Sequence, residues 1–214
     1  MSSPRKQLAT YDAERAAQLA GQLPVAGVDE AGRGPWAGPV VAAAVILDPA
    51  AIPAGIADSK ALNETQRLAV FDEICRTAHV GLGLCSAAEI DDINILNATM
   101  VAMRRALADL PQRPAVGLID GNRIPDMDLP ARAIVKGDAT CLSIAAASIV
   151  AKVTRDRMMI DLGRLHPGYG FERHKGYGTP EHQRGIAQFG VLQEHRQTFK
   201  PIRMALEEQR RKSC

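Results

Sequence analysis

Between residues 24 and 47 the apolar, β-prone positions fall into two runs, Val25–Val28 and Val40–Leu47, separated by the Gly- and Pro-rich stretch E-A-G-R-G-P-W-A-G-P. The pattern predicts a strand, a loop and an adjacent strand. His79–Ser86 alternates as a third strand would, and Ala115–Ile119 and Ala131–Val135 are two further short strand candidates. Ile90, Ile93, Leu96, Met100, Met103 and Leu107 recur at helical spacing over Ala88–Leu110, and Pro111 stops that helix. From Thr140 to Leu165 the chain is rich in Ala, Ile, Val and Met and predicts a long helix packed on the sheet. Its one polar stripe is Ser148, Lys152 and Arg155, at i, i+4 and i+7. A solvated face accounts for that stripe, and a face turned to a phosphate backbone has the same pattern. Residues 166–182 predict an ordered loop leading into a helix that starts near Pro180, and the final R-R-K-S-C a frayed tail.

Composition adds bounds. The 214 residues are 46% hydrophobic and 23% charged, the balance of one folded domain. The longest apolar run, Val40–Leu47, is far below the ~18–20 residues of a membrane span, and no secretion signal opens the chain. Cys75, Cys85, Cys141 and Cys214 form no C-x-x-C pair, which argues for reduced thiols and a cytoplasmic setting. The net charge of +2 conceals an asymmetry: residues 163–214 hold 10 Lys or Arg against 5 Asp or Glu, the remainder 16 against 19. That basic tail also carries Tyr169, Phe171, Tyr177, Phe189 and Phe199, and basic residues interleaved with rings suit nucleic acid as well as a small core.

The candidate chemistry lies in the acids. Asp29 and Glu30 end an apolar strand, and a bend permitted by Gly32 and Gly34 would bring both carboxylates to one place. Asp120 and Asp138 end two other strand candidates in glycine settings, so neighbouring strands would gather up to four carboxylates at one end of a sheet. Such a cluster implies cations, and oxygen-only ligands favour Mg²⁺ or Mn²⁺. Two such ions stabilise an in-line phosphoryl displacement. Arg33, between two glycines, adds a cation for phosphate. The five histidines show no ligand spacing and are assigned no role.

The runs V-D-E-A-G-R-G-P-W-A-G-P-V (28–40), D-S-K (58–60), I-D-G-N (119–122), K-G-D-A (136–139), A-A-S-I-V-A-K-V-T-R-D (146–156) and H-K-G-Y-G-T (174–179), in this order, resemble bacterial ribonuclease HII over nearly the whole chain. The resemblance implies an α/β, RNase H-like fold: a central mixed five-stranded sheet flanked by helices. It implies a single catalytic domain over 1–214, with 1–22 a short N-terminal extension and about 163–214 a basic helical substrate-binding region. The implied activity is an endonuclease on RNA paired to DNA and on single ribonucleotides embedded in duplex DNA, with Mg²⁺ or Mn²⁺ as cofactor. By the same comparison Asp29, Glu30, Asp120 and Asp138 match the metal-binding acids. Gly32, Arg33 and Gly34 match the turn at the ribose 2′-OH and its phosphate, and Tyr177 the ring that stacks on the following sugar. Lys60, Lys136, Ser148, Lys152 and Lys175 match further substrate contacts. Only 28 residues precede Asp29, fewer than the extra N-terminal domain of ribonuclease HIII needs. A monomer fits the family, and a replication-machinery contact is not readable. The competing readings are another two-metal nuclease, acting on DNA, and a non-catalytic hybrid-binding module.

Overall fold

The computed structural model describes residues 9–56 and 62–212. In chain order these form α1 (Asp12–Leu19), β1 (Val25–Ala31), β2 (Val40–Ile46), α2 (Glu64–Thr77), β3 (His79–Cys85), α3 (Ala87–Ala108), β4 (Val116–Asp120), β5 (Ala131–Ile134), α4 (Gly137–Thr140), α5 (Leu142–Leu165), α6 (Phe171–His174), α7 (Pro180–Phe189) and α8 (Lys200–Lys212). The strands make one sheet in the order β3-β2-β1-β4-β5. The β1–β2 and β2–β3 pairs are antiparallel, and β1–β4 and β4–β5 are parallel. The expected mixed five-stranded sheet with flanking helices is the observed one.

Strand β2 shows how the layers are made. All seven of its residues are buried because both faces are covered. Val40, Ala42, Ala44 and Ile46 face α3, where they meet Ile90, Ala98, Ala102 and Met103. Ala43 and Val45 face the other way, against Ile149, Val150 and Val153 of α5 and Phe71 and Ile74 of α2. Small residues let α5 come close: a methyl group at Gly27 of β1 would lie 2.2 Å from the Ser143 carbonyl carbon.

Local signals place the helix starts. The side chains of Asn63, Ser86 and Thr179 cap α2, α3 and α7, the first two in reciprocal capping boxes with Gln66 and Glu89. The helix expected over 88–110 is interrupted at Asn94 (φ 63°), whose Oδ1 accepts from the amides of Leu96 and Asn97 and so starts a second helical segment. The expected loop at 166–182 contains α6, and the expected frayed tail is helical through Lys212.

Two groupings were not visible in the sequence. The N-terminal segment is tied into the domain: Thr10 exchanges backbone hydrogen bonds with Thr140 and Leu142, and buried Glu14 of α1 accepts from the Ser143 amide at the start of α5 (2.6 Å). The C-terminal helices close over a small core of Ala37, Met159, Tyr169, Phe171, Ile186 and Ile202. Tyr169 and Phe171 are therefore core rings and not stacking platforms; Tyr177 and Phe189 stay exposed.

Candidate active site

The parallel pairing of β1 with β4 brings Val28 opposite Ile119, so the next residues, Asp29 and Asp120, emerge together at the strand ends. Beyond β5, Lys136 adopts a left-handed conformation (φ 58°) and turns the chain into α4. The Gly137 amide then donates to Asp120 Oδ1 (2.7 Å), which sets Asp138 beside Asp120. The expected bend at Asp29–Glu30 does not occur, since β1 stays paired with β2 through Ala31. Successive strand residues point to opposite faces: Gly27 and Asp29 belong to the α5 side, Val28 and Glu30 to the α3 side. Glu30 instead meets Arg33 across the turn (3.2 Å).

The acids form an electrostatic chain. Burial, reinforced by the charges of Glu30 and Asp120, pushes the Asp29 carboxyl well above the usual carboxylate range, and hydrogen bonds from the Glu30 amide and the Ser148 hydroxyl only partly oppose this. Burial also raises Glu30 against the pull of Arg33, with Asp120 adding to the rise. Burial and then the charge of Asp138 raise Asp120. Among the described residues, however, no three His, Cys, Asp or Glu side chains gather closely enough to hold a metal ion. Glu30 meets Arg33 and Asp120 the Gly137 amide.

The Gly32–Gly34 turn follows directly. Gly32 has φ +94°, and a Cβ there would fall 1.9 Å from Arg155 Nε, so glycine is required. A methyl group at Gly34 would stand 3.5 Å from Tyr177 Cε1, which makes the turn and the half-exposed Tyr177 ring one surface. Ser148 lies beneath Asp29. Lys152, one turn further along α5, pairs with Asp156 (2.8 Å). Lys136 is exposed beside Asp138, and the Lys175 ammonium donates to the Glu172 carbonyl. Lys60 lies outside the described residues.

The polar stripe of α5 is neither solvated nor turned wholly to a ligand, because Arg155 is 2% exposed. It donates to the carbonyls of Pro39 (2.9 Å), Lys175 (3.0 Å) and Ala37 (3.2 Å). A second buried guanidinium, Arg196, donates to Gly38 (3.0 Å), Arg33 (2.9 Å) and Gly32 (2.5 Å). Burial lowers Arg155 to about 10; burial and the charge of Arg155 lower Arg196 to about 9, so both stay cationic at neutral pH.

The histidines left without a role form a directed chain. The Leu192 amide donates to His195 Nδ1 (2.9 Å), so Nε2 carries the His195 proton and donates to His182 Nε2 (3.0 Å). His182 then holds its own proton on Nδ1, which donates to the Tyr177 carbonyl (3.0 Å). His174 stacks on His182 at 4.7 Å. Burial lowers His182 and His195 to about 4 each. No sequence spacing signals Arg196, whose partners are backbone carbonyls of a distant segment, or the pairing of His182 with His195, whose side chains meet only in the folded C-terminal region.

Residues 26–202 match the family model described as Ribonuclease HII. The chain is 56% identical over 185 residues to the ribonuclease HII of Rhizorhabdus wittichii, covering 86% of this chain and 92% of the relative. It is 52% identical over 197 residues to that of Paracoccus denitrificans, covering 92% and 94%. Among solved structures it is similar to ribonuclease H2 from Pyrococcus horikoshii OT3, with a TM-score of 0.73 and 30% identity over 87% of this chain and 98% of that one.

Proposed function

The chain belongs to the ribonuclease HII family, an endoribonuclease of RNA/DNA hybrids, and from that premise we propose that it also nicks duplex DNA on the 5′ side of a single embedded ribonucleotide, leaving a 5′-phosphate and a 3′-hydroxyl. What carries this reading is the continuity between the acid chain at the strand ends and the Gly34–Tyr177 surface beside it. A hydrolytic centre thus adjoins a place where backbone and a ring can meet a sugar.

In this reading Asp29, Glu30, Asp120 and Asp138 would hold two Mg²⁺ or Mn²⁺ ions. The donor set fits in its chemistry: it is all oxygen, and burial with like charge raises Asp29, Asp120 and, against its ion pair with Arg33, Glu30, which a bound cation would relieve. When bound, the cations would activate the attacking water and neutralise charge developing on the scissile phosphate. Ser148 orients Asp29 by its hydrogen bond, and the Gly137 amide orients Asp120. The Gly32–Gly34 backbone contacts the ribose 2′-OH, Arg33 the adjoining phosphate, and Tyr177 the sugar that follows. Lys136 and Lys175, with Lys152 and Lys60, supply positive charge along the duplex. The protein works as a monomer, in the cytoplasm, in the removal of ribonucleotides from DNA.

The test is end-labelled duplex DNA carrying one ribonucleotide beside an all-DNA control, with Mg²⁺, Mn²⁺ or chelator. The expected result is a metal-dependent nick 5′ to the ribonucleotide and an intact control. Cleavage of both duplexes would identify a DNA nuclease, and cleavage of neither a binding module.

A further inference from the structure

We infer that Arg196, supported by Arg155, is a positioning residue for ribonucleotide selectivity: it holds the Gly32–Gly34 turn in the orientation that presents backbone donors to the ribose. This rests on the reading that the turn contacts the 2′-OH.

The geometry begins with the trans peptide unit, whose C=O and N–H point in opposite directions. Arg196 takes the carbonyls of Gly32 and Arg33 inward. The other ends of those two peptide units, the amides of Arg33 and Gly34, must therefore point away from the guanidinium. Arg196 is fully buried, so away from it is toward the exposed side of the turn, where Arg33 and Gly34 are both accessible. Two adjacent amides aimed outward from a turn with a glycine at positive φ make a concave donor pair suited to an oxygen ligand. If the peptides flipped, carbonyls would face the 2′-OH oxygen and the phosphate, and repel the latter.

The same guanidinium pair ties this turn to the Tyr177 segment. Arg155 spans Ala37 and Pro39 on one side and Lys175 on the other. The Trp36 amide donates to the Gly176 carbonyl (2.8 Å), and the Arg196 amide to the Trp36 carbonyl (2.8 Å). His195, next to Arg196 in the chain, reaches the Tyr177 carbonyl through His182. The segment is itself pinned from α3, where the Asp91 carboxylate accepts from the amides of Gln197 (2.7 Å) and Thr198 (2.9 Å). Among the described residues six carbonyls and no carboxylate lie within hydrogen-bond distance of the two guanidinium groups, which are held by backbone and not by an ion pair. A lysine keeps the charge but cannot span carbonyls spread across a planar fork.

The experiment measures dissociation constants for a duplex with one ribonucleotide and for the all-DNA duplex, in Mg²⁺, with Asp138→Asn in the background to leave substrate uncut. The readout is their ratio, which does not depend on the fraction of active protein. Arg196→Lys should lower the preference, taken as the all-DNA dissociation constant divided by that of the ribonucleotide duplex, by about tenfold, the scale of one lost charge-assisted hydrogen bond, with affinity for all-DNA duplex within about twofold. A residue that only stabilised the fold would weaken both affinities alike, and an unchanged ratio or a parallel loss in both overturns the inference. Should Arg196→Lys not fold, Arg155→Lys decides in the same way, since it loosens the same loop from the opposite side. If the parent protein itself shows no preference for the ribonucleotide duplex, the reading of the turn as a 2′-OH contact fails, which is a different outcome from a preference that survives Arg196→Lys.

Discussion

Replacing His195 by Gln should make the protein less sensitive to acid while making it less stable at neutral pH. Every donor and acceptor in the chain Leu192–His195–His182–Tyr177 is matched only when both rings are neutral. A proton added to His182 Nε2 would face the Nε2–H of His195, and one added to His195 Nδ1 would face the Leu192 amide. The charged neighbours have the same sign, His174 acting on His182 and His166 on His195. The unfolded chain takes up protons near 6.5, the folded chain only near 4. The stabilisation is therefore complete above pH 6.5 and is lost as the pH falls toward 4. With those two values, each histidine costs about 2 kcal/mol of stability between pH 7 and pH 5. Asp29, Glu30 and Asp120, whose carboxyls are raised in the folded state, act in the opposite direction over acidic pH, so the total profile is mixed. The informative quantity is the difference between two proteins. Urea unfolding of the parent and of His195→Gln at pH 7 and pH 5 should show the variant losing about 2 kcal/mol less on acidification. Equal losses in the two proteins would refute the neutral chain.

Asp120→Asn and Asp138→Asn should each lower cleavage of a ribonucleotide-containing duplex by about 100-fold or more while the melting temperature holds or rises, because a repelling charge is removed from a crowded strand end. Gel assay and thermal denaturation of the same preparations check both halves. Gly27→Ala should cost about 2–3 kcal/mol, since the new methyl group meets the Ser143 backbone at 2.2 Å and α5 must shift; a loss below about 0.5 kcal/mol in urea would contradict the close β1–α5 approach. Glu14→Ala removes the acceptor of the Ser143 amide at the start of α5 and should cost about 1–2 kcal/mol, measured in the same way.

Apolar runs, their lengths and the breakers between them were enough to find the sheet and the long helix. Val40–Leu47 is a short β-prone apolar run, Thr140–Leu165 a long segment rich in Ala, Ile, Val and Met, and Thr179–Pro180 carries its own start signal. The same reading failed where a side chain answers to something distant. Arg155 reads as surface because a charged residue at i+7 from Ser148 on a helix usually is; it is buried because carbonyls from residues 37, 39 and 175 collect around it. Asn94 reads as one more helical position, yet its carboxamide caps the next segment. Tail rings that suit nucleic acid by composition turn out to be core, except Tyr177 and Phe189.

The sequence by itself determined which chemistry is available: the acids in order, the glycines that a tight turn demands and a basic, aromatic-rich tail. These depend on residue type and local spacing, which the chain carries without folding. The tertiary structure decided how they are used. Strand pairing set Asp29 beside Asp120, although about 90 residues separate them in the chain. Closure of the C-terminal helices carried Arg196 beneath a turn 160 residues earlier and His195 into contact with His182. The Arg196 contacts are hydrogen bonds to backbone atoms, which every residue possesses, and the histidine contact joins two side chains that meet only on closure, so no pattern along the sequence could have announced either.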